Sequence, residues 1–136
     1  MGKLHIEVVT PEKSVVSEDV DIVVVPGSLG EFGVLKGHVP FLTGVQPGEL
    51  RYSSDSKTKY IAVTSGFAEV SNNNVSILVD AAEMAGEVDL KRAHDAMERA
   101  KEKLAKNRGS EDIDFVRAEM ALKRAMVRIK VSEKAI

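Results

Sequence analysis

The amino-acid sequence predicts an all-β N-terminal module, folded as a sandwich or flattened barrel, followed by an antiparallel two-helix hairpin. All four prolines and eight of the ten glycines precede Gly86, among short runs of Val and Ile that are typical of strands. After Gly86 the chain is rich in Ala, Lys, Arg and Glu and contains no proline, which favours helix. We therefore place the β module in residues 1–85 and the helical module in residues 86–136.

Strands and turns alternate through the β module. The clearest strand candidates, all rich in Val or Ile, are Ile6–Val9, Asp21–Val25, Tyr60–Val63 and Val75–Val79. The turn candidates, built from Pro, Gly, Ser and Asn, are Pro11–Lys13, Pro26–Ser28, Pro47–Gly48 and Asn72–Asn74. Since no segment between the strands has the pattern of a crossover helix, we expect a sandwich rather than a parallel sheet.

The helical module repeats apolar residues at alternating spacings of three and four. The first series is Leu90, Ala93, Met97, Ala100 and Leu104, and the second is Phe115, Ala118, Leu122, Ala125 and Ile129. Between them, Gly109 is a candidate C-cap, and Ser110 or Asp112 a candidate N-cap. The pattern predicts two helices of about 19 residues, each about 28 Å long. Because alanine buries little area, the seam between the helices should be weak and able to open.

Composition excludes several classes of protein. The 136 residues suit one medium domain or two small ones, with an ordinary balance of 43% hydrophobic and 29% charged residues. A net charge of −2 argues against nucleic-acid binding by bulk charge. Without cysteine the chain has no disulfide, thiolate metal site or Cys nucleophile, and its three histidines lack ligand spacing, so we expect no metal site. No apolar run approaches membrane-spanning length and the first residues lack a signal-peptide core, so we expect a soluble intracellular protein.

No segment has the pattern of a catalytic site. The glycine-rich stretch Gly27–Gly33 matches neither dinucleotide-binding nor phosphate-loop patterns, and no helix is predicted to follow it. His38 has no neighbour that suggests a nucleophile–base pair. The sequence therefore offers no credible active site.

Arginines of the helical module repeat at intervals that place them together. In a heptad with the apolar residues at a and d, every member of the set lies at c or g: Arg92, Arg99, Arg117, Arg124 and Arg128. The two g flanks of an antiparallel pair meet, so these side chains should line one edge of the hairpin. A solvated basic face is one interpretation of the pattern. The other is a binding site for a polyanion, which would relieve the repulsion between like charges.

Several segments together resemble the epsilon subunit of bacterial F-type (rotary) ATP synthase. The stretch Leu4–Pro11 resembles the opening strand of that family, Gly30–Pro40 its signature loop, and Ser65–Val70 with Asn74 and Val75 a later hairpin. The resemblance covers essentially the whole chain. It implies a sandwich of about ten strands followed by a mobile two-helix arm.

The resemblance also implies a role and a set of partners. Members of this family are non-catalytic subunits of the central rotor of a proton-translocating synthase, and they couple and regulate ATP synthesis and hydrolysis. Catalysis lies on the beta subunits. The sandwich would bind the gamma subunit and the ring of c subunits, with the loop that carries Glu31 and His38 facing the ring. The chain would then lie at the cytoplasmic face of the bacterial plasma membrane as a peripheral subunit.

In some bacterial members the folded arm binds ATP through an Ile/Leu-Asp-x-x-Arg-Ala motif and further arginines. Here the motif is Val88–Ala93, with Val at its first position. The residues that match the site are Glu83, Asp89, Arg92, Ala93, Arg99, Arg117, Arg124 and Arg128. By resemblance, the two acids would face the base and ribose and the arginines the phosphates. ATP would be a regulatory ligand, with no obligatory cofactor.

The resemblance further implies that an extended arm inhibits ATP hydrolysis. The cations available for acidic surfaces of the alpha and beta subunits are Lys123, Arg124, Arg128, Lys130 and Lys134. A free-standing ATP sensor without a rotary partner is the alternative hypothesis. A third is an adaptor for acidic protein or RNA, but residues 86–136 have a surplus of only three cations, and Phe115 is their sole aromatic, which argues against RNA stacking.

Overall fold

The computed structural model describes residues 3–106 and 113–135. It contains ten strands, a 3₁₀ turn at Ala85–Glu87 and two helices. The strands are β1 (Leu4–Val9), β2 (Ser14–Val20), β3 (Ile22–Gly27), β4 (Gly30–Leu35), β5 (Phe41–Val45), β6 (Gly48–Ser54), β7 (Lys57–Val63), β8 (Gly66–Ser71), β9 (Asn74–Val79) and β10 (Ala82–Met84). The helices are α1 (Leu90–Lys106) and α2 (Ile113–Ser132).

One hydrogen-bonded sheet runs through all ten strands and folds over on itself to form the sandwich. Its order is β10-β7-β6-β3-β5-β8-β9-β1-β2, with β4 paired to β3. Every pair is antiparallel except β1 and β9, which are parallel. The all-β sandwich of about ten strands is confirmed.

The core of the sandwich forms because alternate residues of each strand point inward. In β1, Leu4, Ile6 and Val8 are fully buried, and all belong to a single cluster of Val, Ile and Leu drawn from both layers. The four strand candidates from the sequence lie within or at the start of β1, β3, β7 and β9. Patterning by β-branched residues therefore located four of the strands that build the core, including β1 and β9, which contribute three residues each to the cluster.

Two hairpin turns depend on residues with left-handed backbone conformation. Asn72 and Asn73 have φ values of 49° and 63°, and Asp55 and Ser56 have 51° and 67°. Short hairpin loops need such values because they match the twist of the strands, and Asn and Asp tolerate them. The predicted turn at residues 72–74 is confirmed for Asn72 and Asn73, whereas Asn74 already begins β9 and pairs with Ser71. The predicted turn at residues 26–28 begins too early, since β3 continues through Gly27, which pairs with Gly30.

The helices form a hairpin with an alanine seam, as the spacing predicts. They have 17 and 20 residues, and their buried side chains include Ala93 and Ala100 in α1 and Ala118 and Ala125 in α2. Leu90, which the spacing also placed in the seam, is 46% exposed at the start of α1. The predicted caps at Gly109, Ser110 and Asp112 lie outside the described residues.

The hairpin is docked on the sandwich through α2. This helix packs against the outer face of β6, β7 and β10 and against the 3₁₀ turn, whereas α1 packs chiefly on α2. Val131, near the end of α2, is fully buried. The arm is therefore in a folded state, held against one layer of the sandwich.

Tyr52 is a buried aromatic residue at the edge of the core. Only 2% of it is exposed, and its hydroxyl donates a long hydrogen bond of 3.5 Å to Glu18 Oε2 on β2. Burial, reinforced by the Glu18 carboxylate, raises the pKa of Tyr52 to about 12. The folded state therefore keeps a proton that an exposed tyrosine loses near pH 10.

We expect this tyrosine to make the sandwich sensitive to alkali. Because the pKa of Tyr52 is higher in the folded state, its contribution is intact below pH 10 and is lost as pH rises towards 12. The loss should amount to about 2 to 3 kcal/mol of unfolding free energy. Denaturant unfolding of the wild-type chain and Tyr52→Phe at pH 8 and pH 11.5 measures it. A decline equally steep in both proteins would assign the effect to other groups, such as lysines.

We also expect residues 1–85 to fold without the arm. This segment contains all ten strands and every residue of the core cluster. Circular dichroism and thermal unfolding of the fragment should show a cooperative β protein. An unfolded spectrum, under conditions where the full chain is folded, would mean that the arm is needed for the sandwich to form.

Candidate functional site

A cleft of about 790 Å³ opens between the two helices on the side where the sequence places the arginines. Its cations are Arg99 and Lys103 from α1 and Arg117 and Arg124 from α2. Ala96 and Ala121 also line the cleft, and their small side chains leave the space between the charged ones open. The helix pair thus forms a concave basic surface with contributions from both helices.

The chemistry of this cleft suits a polyanion. Within the described part of the chain, Arg99, Arg117 and Arg124 make no ion pair with a carboxylate, although Asp114 lies among the lining residues. Guanidinium groups donate paired hydrogen bonds that fit the oxygens of phosphates. A ligand held by both helices would also stabilise the folded hairpin.

Asp89 has a structural role that the sequence motif did not reveal. Its Oδ1 accepts a hydrogen bond of 3.1 Å from the backbone N–H of Arg92, and its carbonyl accepts one of 3.0 Å from the N–H of Ala93. Asp89 is therefore the N-cap of α1, a position at which Asp is strongly preferred. The side chain of Arg92 is exposed beside it.

Glu83 and Arg128 form an ion pair that joins β10 to α2. Arg128 Nε donates to Glu83 Oε1 at 2.6 Å and Nη2 donates to Oε2 at 3.3 Å, and both side chains are about a third exposed or less. The sequence predicted that each would face a nucleotide. In the folded arm they face each other.

The predicted ATP-binding residues therefore fall into two groups. Arg99, Arg117 and Arg124 line the cleft between the helices. The others lie elsewhere in this state. Asp89 is the N-cap of α1, Arg92 is exposed beside it, and Ala93 lies in the seam between the helices. Glu83 and Arg128 pair with each other.

The basic end of α2 is tied to the sandwich. Lys123 Nζ donates to Gln46 Oε1 at 2.8 Å, and Lys134 pairs with Glu49 and lies 4.6 Å above the ring of Tyr60. With Arg128, three of the five predicted partner-binding cations contact the sandwich. Of the other two, Arg124 lines the cleft and Lys130 is exposed.

Sequence reasoning missed the sandwich residues that receive these cations. Gln46, Glu49 and Tyr60 stand more than 70 positions from their partners in the chain. Helical spacing relates residues three or four apart, so it has no means of matching α2 to a strand. The only available signal was the excess of cations near the end of the chain.

Glu31 and His38 lie at opposite ends of β4 rather than on one loop. Glu31 accepts two hydrogen bonds of 3.1 Å from Arg51 Nη1 and Nη2, and this contact holds the pKa of the Glu31 carboxyl below its ordinary value. His38 follows the strand, with Nδ1 2.6 Å from the carbonyl oxygen of Val39. Four residue steps of β4, about 13 Å, lead from Glu31 to Leu35. A turn follows, in which the N–H of His38 donates a hydrogen bond of 3.1 Å to the carbonyl of Leu35.

An Asp–His–Ser contact occurs on the outer face of β1 and β2. His5 Nδ1 lies 2.9 Å from Asp19 Oδ1, and Nε2 lies 3.1 Å from Ser17 Oγ. His5 stands directly across from Asp19 in the ladder, and Ser17 is two residues further along the same face. Acyl transfer also needs N–H donors for an oxyanion, whereas β1 is hydrogen-bonded to strands on both sides. We therefore interpret the contact as cross-strand pairing.

Within residues 3–106 and 113–135, neither helix combines the length and the apolar character that crossing a bilayer requires. Groups of three or more His, Asp or Glu side chains placed to hold a metal ion were not found in this part of the chain.

Comparison with known proteins matches both modules to one family. The ATP synthase delta/epsilon chain beta-sandwich domain matches residues 3–85, and the long alpha-helix domain of the same chain matches residues 87–133. The ATP synthase epsilon chain of Syntrophobacter fumaroxidans is 51% identical over 97% of both chains. That of Nitratidesulfovibrio vulgaris is 48% identical over 94% of both chains.

Solved structures share the fold at low sequence identity. A chain of the Euglena gracilis mitochondrial ATP synthase, in a structure of OSCP, F1 and the c-ring, superposes with a TM-score of 0.81 at 21% identity, covering 98% of this chain and 82% of that one. A chain of the Tetrahymena thermophila mitochondrial ATP synthase central stalk and c-ring gives 0.59 at 17% identity, covering 97% and 95%. Since the family matches span both modules and the curated relatives match nearly end to end, the chain belongs to the ATP synthase delta/epsilon chain family.

Proposed function

We propose that this chain is a non-catalytic regulatory subunit in the central stalk of a bacterial F-type ATP synthase, where its folded arm binds ATP and its extended arm inhibits ATP hydrolysis. The observation that carries the proposal is the cleft in which arginines from both helices converge. It exists only while the hairpin is folded. A ligand there therefore favours the folded arm over the extended one.

The sandwich is the part that we propose to bind the gamma subunit and the c-ring. An apolar row on the layer opposite the arm, formed by Leu42, Phe67 and Leu78, is more than half exposed. Phe67 pairs directly with Leu78, and Leu42 lies on the same face of β5, two residues from Gly44, which pairs with Phe67. Such a row is costly to leave in water and is typical of a protein interface, so we assign it to gamma. Glu31 and His38 are the proposed c-ring contacts, which would place the chain at the cytoplasmic face of the plasma membrane.

In the folded arm, we propose that the phosphates of ATP lie on Arg99, Arg117 and Arg124. ATP at 100 times its dissociation constant would add about 2.7 kcal/mol to the folded state. That amount shifts a nearly balanced equilibrium about a hundredfold. Arg128 belongs to the same proposed set, and it would reach the phosphates only by exchanging its contact with Glu83.

The inhibitory state follows from the same cations. While the arm is docked, Lys123, Arg128 and Lys134 are engaged by the sandwich. Extension would break these contacts and free the side chains, together with Arg124 and Lys130, for acidic surfaces on the alpha and beta subunits. Docking on the sandwich and inhibition would thus exclude each other.

We expect Arg124→Ala to weaken ATP binding. Losing one charge-assisted hydrogen bond costs about 1.5 to 3 kcal/mol, which corresponds to a 10- to 100-fold change in the dissociation constant. Arg92→Ala tests the motif separately, because Arg92 lies outside the cleft. Isothermal titration calorimetry gives the affinities, and Lys101→Ala, a cation on the opposite flank, is the matched control. Unchanged affinity in Arg124→Ala would remove the cleft from the ATP site.

We expect truncation after Asp89 to release inhibition. The shortened chain keeps the whole sandwich and should still assemble, but it lacks the helices that would block hydrolysis. Complexes with the full and the truncated chain should differ in initial hydrolysis rate at limiting ATP, the truncated complex being faster. Equal rates at equal occupancy of the subunit would mean that the arm does not inhibit.

A further inference from the structure

Four charged side chains on the outer face of the sandwich form a continuous series, which we call the ion-pair series: Glu31, Arg51, Glu49 and Lys134. Arg51 donates two hydrogen bonds of 3.1 Å to Glu31 and one of 3.4 Å to Glu49. The Glu49 carboxylate in turn forms an ion pair with the ammonium of Lys134, which follows α2. The ion-pair series therefore runs from the tip of the β3–β4 hairpin to the docked end of the arm.

The register of the strands makes this connection possible. Strand β3 lies between β4 and β6, with Pro26 opposite Glu31 and Val24 opposite Arg51. The long side chain of Arg51 reaches across β3 to the carboxylate on the far strand. Glu49 is two residues before Arg51, so it lies on the same face of β6.

Glu49 is the member that two cations share. Its side chain is 13% exposed, whereas those of Arg51 and Lys134 are 34% and 35% exposed and that of Glu31 is 53% exposed. Arg51 gives its better contact, the two-bond fork, to Glu31 and only a long single bond to Glu49. Lys134 contacts Oε1 of Glu49, whereas Arg51 contacts Oε2, so the two cations share one carboxylate through different oxygens. A stronger contact between Arg51 and Glu49 would therefore reduce the negative charge that Lys134 meets.

We propose that Arg51 and Glu49 are positioning residues that couple the β3–β4 hairpin to the docking of α2. When a partner engages Glu31, Arg51 turns to Glu49, neutralises it and weakens the hold on Lys134. Glu31 also attracts Lys130 and Lys134 directly, which contributes to the lowered pKa of its carboxyl. The coupling rests on the proposed function only in assigning Glu31 to a partner subunit.

The ion-pair series predicts that substitutions at two contacting residues have opposite effects on the docking of α2. Glu31→Gln should loosen the end of α2, because it frees Arg51 to compete for Glu49. Arg51→Ala should tighten it, because Glu49 is then left to Lys134 alone. Glu49→Gln should loosen it most. Ion pairs this exposed are weak, so we expect changes of about 1.5- to 5-fold in local opening.

Hydrogen exchange of the full-length chain, without nucleotide or partner, measures this opening. Amides of residues 128–135 should exchange faster in Glu31→Gln and slower in Arg51→Ala. Lys3→Ala is the matched control, since Lys3 is as exposed as Arg51 and pairs with Asp21 and Asp55 elsewhere on the sandwich. Amides of β8 and β9 report whether the sandwich itself has changed.

Two further variants make the outcome decisive. The first is Arg51→Lys, which keeps the charge but loses the pair of hydrogen bonds to Glu31. The exchange rate of residues 128–135 in this variant should fall between those of wild type and Arg51→Ala. The second is the double variant Glu31→Gln with Arg51→Ala. In the Arg51→Ala background, Glu31→Gln should accelerate the exchange of residues 128–135 less than it does alone, because Arg51 is no longer present to transmit its effect. Faster exchange in both Glu31→Gln and Arg51→Ala would overturn the coupling. So would an effect of Glu31→Gln that is as large in the Arg51→Ala background as in the wild-type chain. The nucleotide calorimetry is independent of either result.

Discussion

The alanine seam between the two helices is the constraint on which the proposed behaviour of the arm depends. Four seam positions are alanines, and an alanine side chain removes little apolar surface from water. The hairpin is therefore held in part by its contacts with the sandwich. Apart from Val131, the contacts described are polar or ionic: Glu83 with Arg128, Glu49 with Lys134 and Gln46 with Lys123. Such contacts at partly exposed positions are individually weak, which supports the opening of the arm that we propose.

In the proposed switch, competition for a few cations links the parts of the molecule. Each basic residue of the arm that contacts the sandwich is one that an acidic partner could also use, and Arg128 is in addition a proposed phosphate ligand. The switch that we propose for the arm needs no strained backbone. It requires only that alternative anions offer contacts of similar strength.

The sequence predicts the architecture well and the site in part. Runs of β-branched residues locate β1, β3, β7 and β9, and the alternation of three and four locates both helices and the alanine seam, because these signals are local. Heptad position brings Arg99, Arg117 and Arg124 to one cleft. Arg92 and Arg128, which it places on the same edge, do not line the cleft. Arg92 is exposed at the start of α1, and Arg128 pairs with Glu83, which is 45 positions away on β10 and which helical spacing cannot match to it. The role of Asp89 as a helix cap was likewise hidden, since the same residue satisfies both a capping preference and a ligand motif.

The parallel pairing of β1 with β9 has a consequence for how the chain acquires its structure during synthesis. His5 pairs with Asn74, so the first strand can meet only β2 until most of the sandwich has left the ribosome. Closing so long a loop makes this step slow relative to local hairpins. The helices are translated afterwards and form through contacts close in sequence. The arm thus reaches a docking face whose strands have already been made, and its arrival need not direct the order in which they assemble.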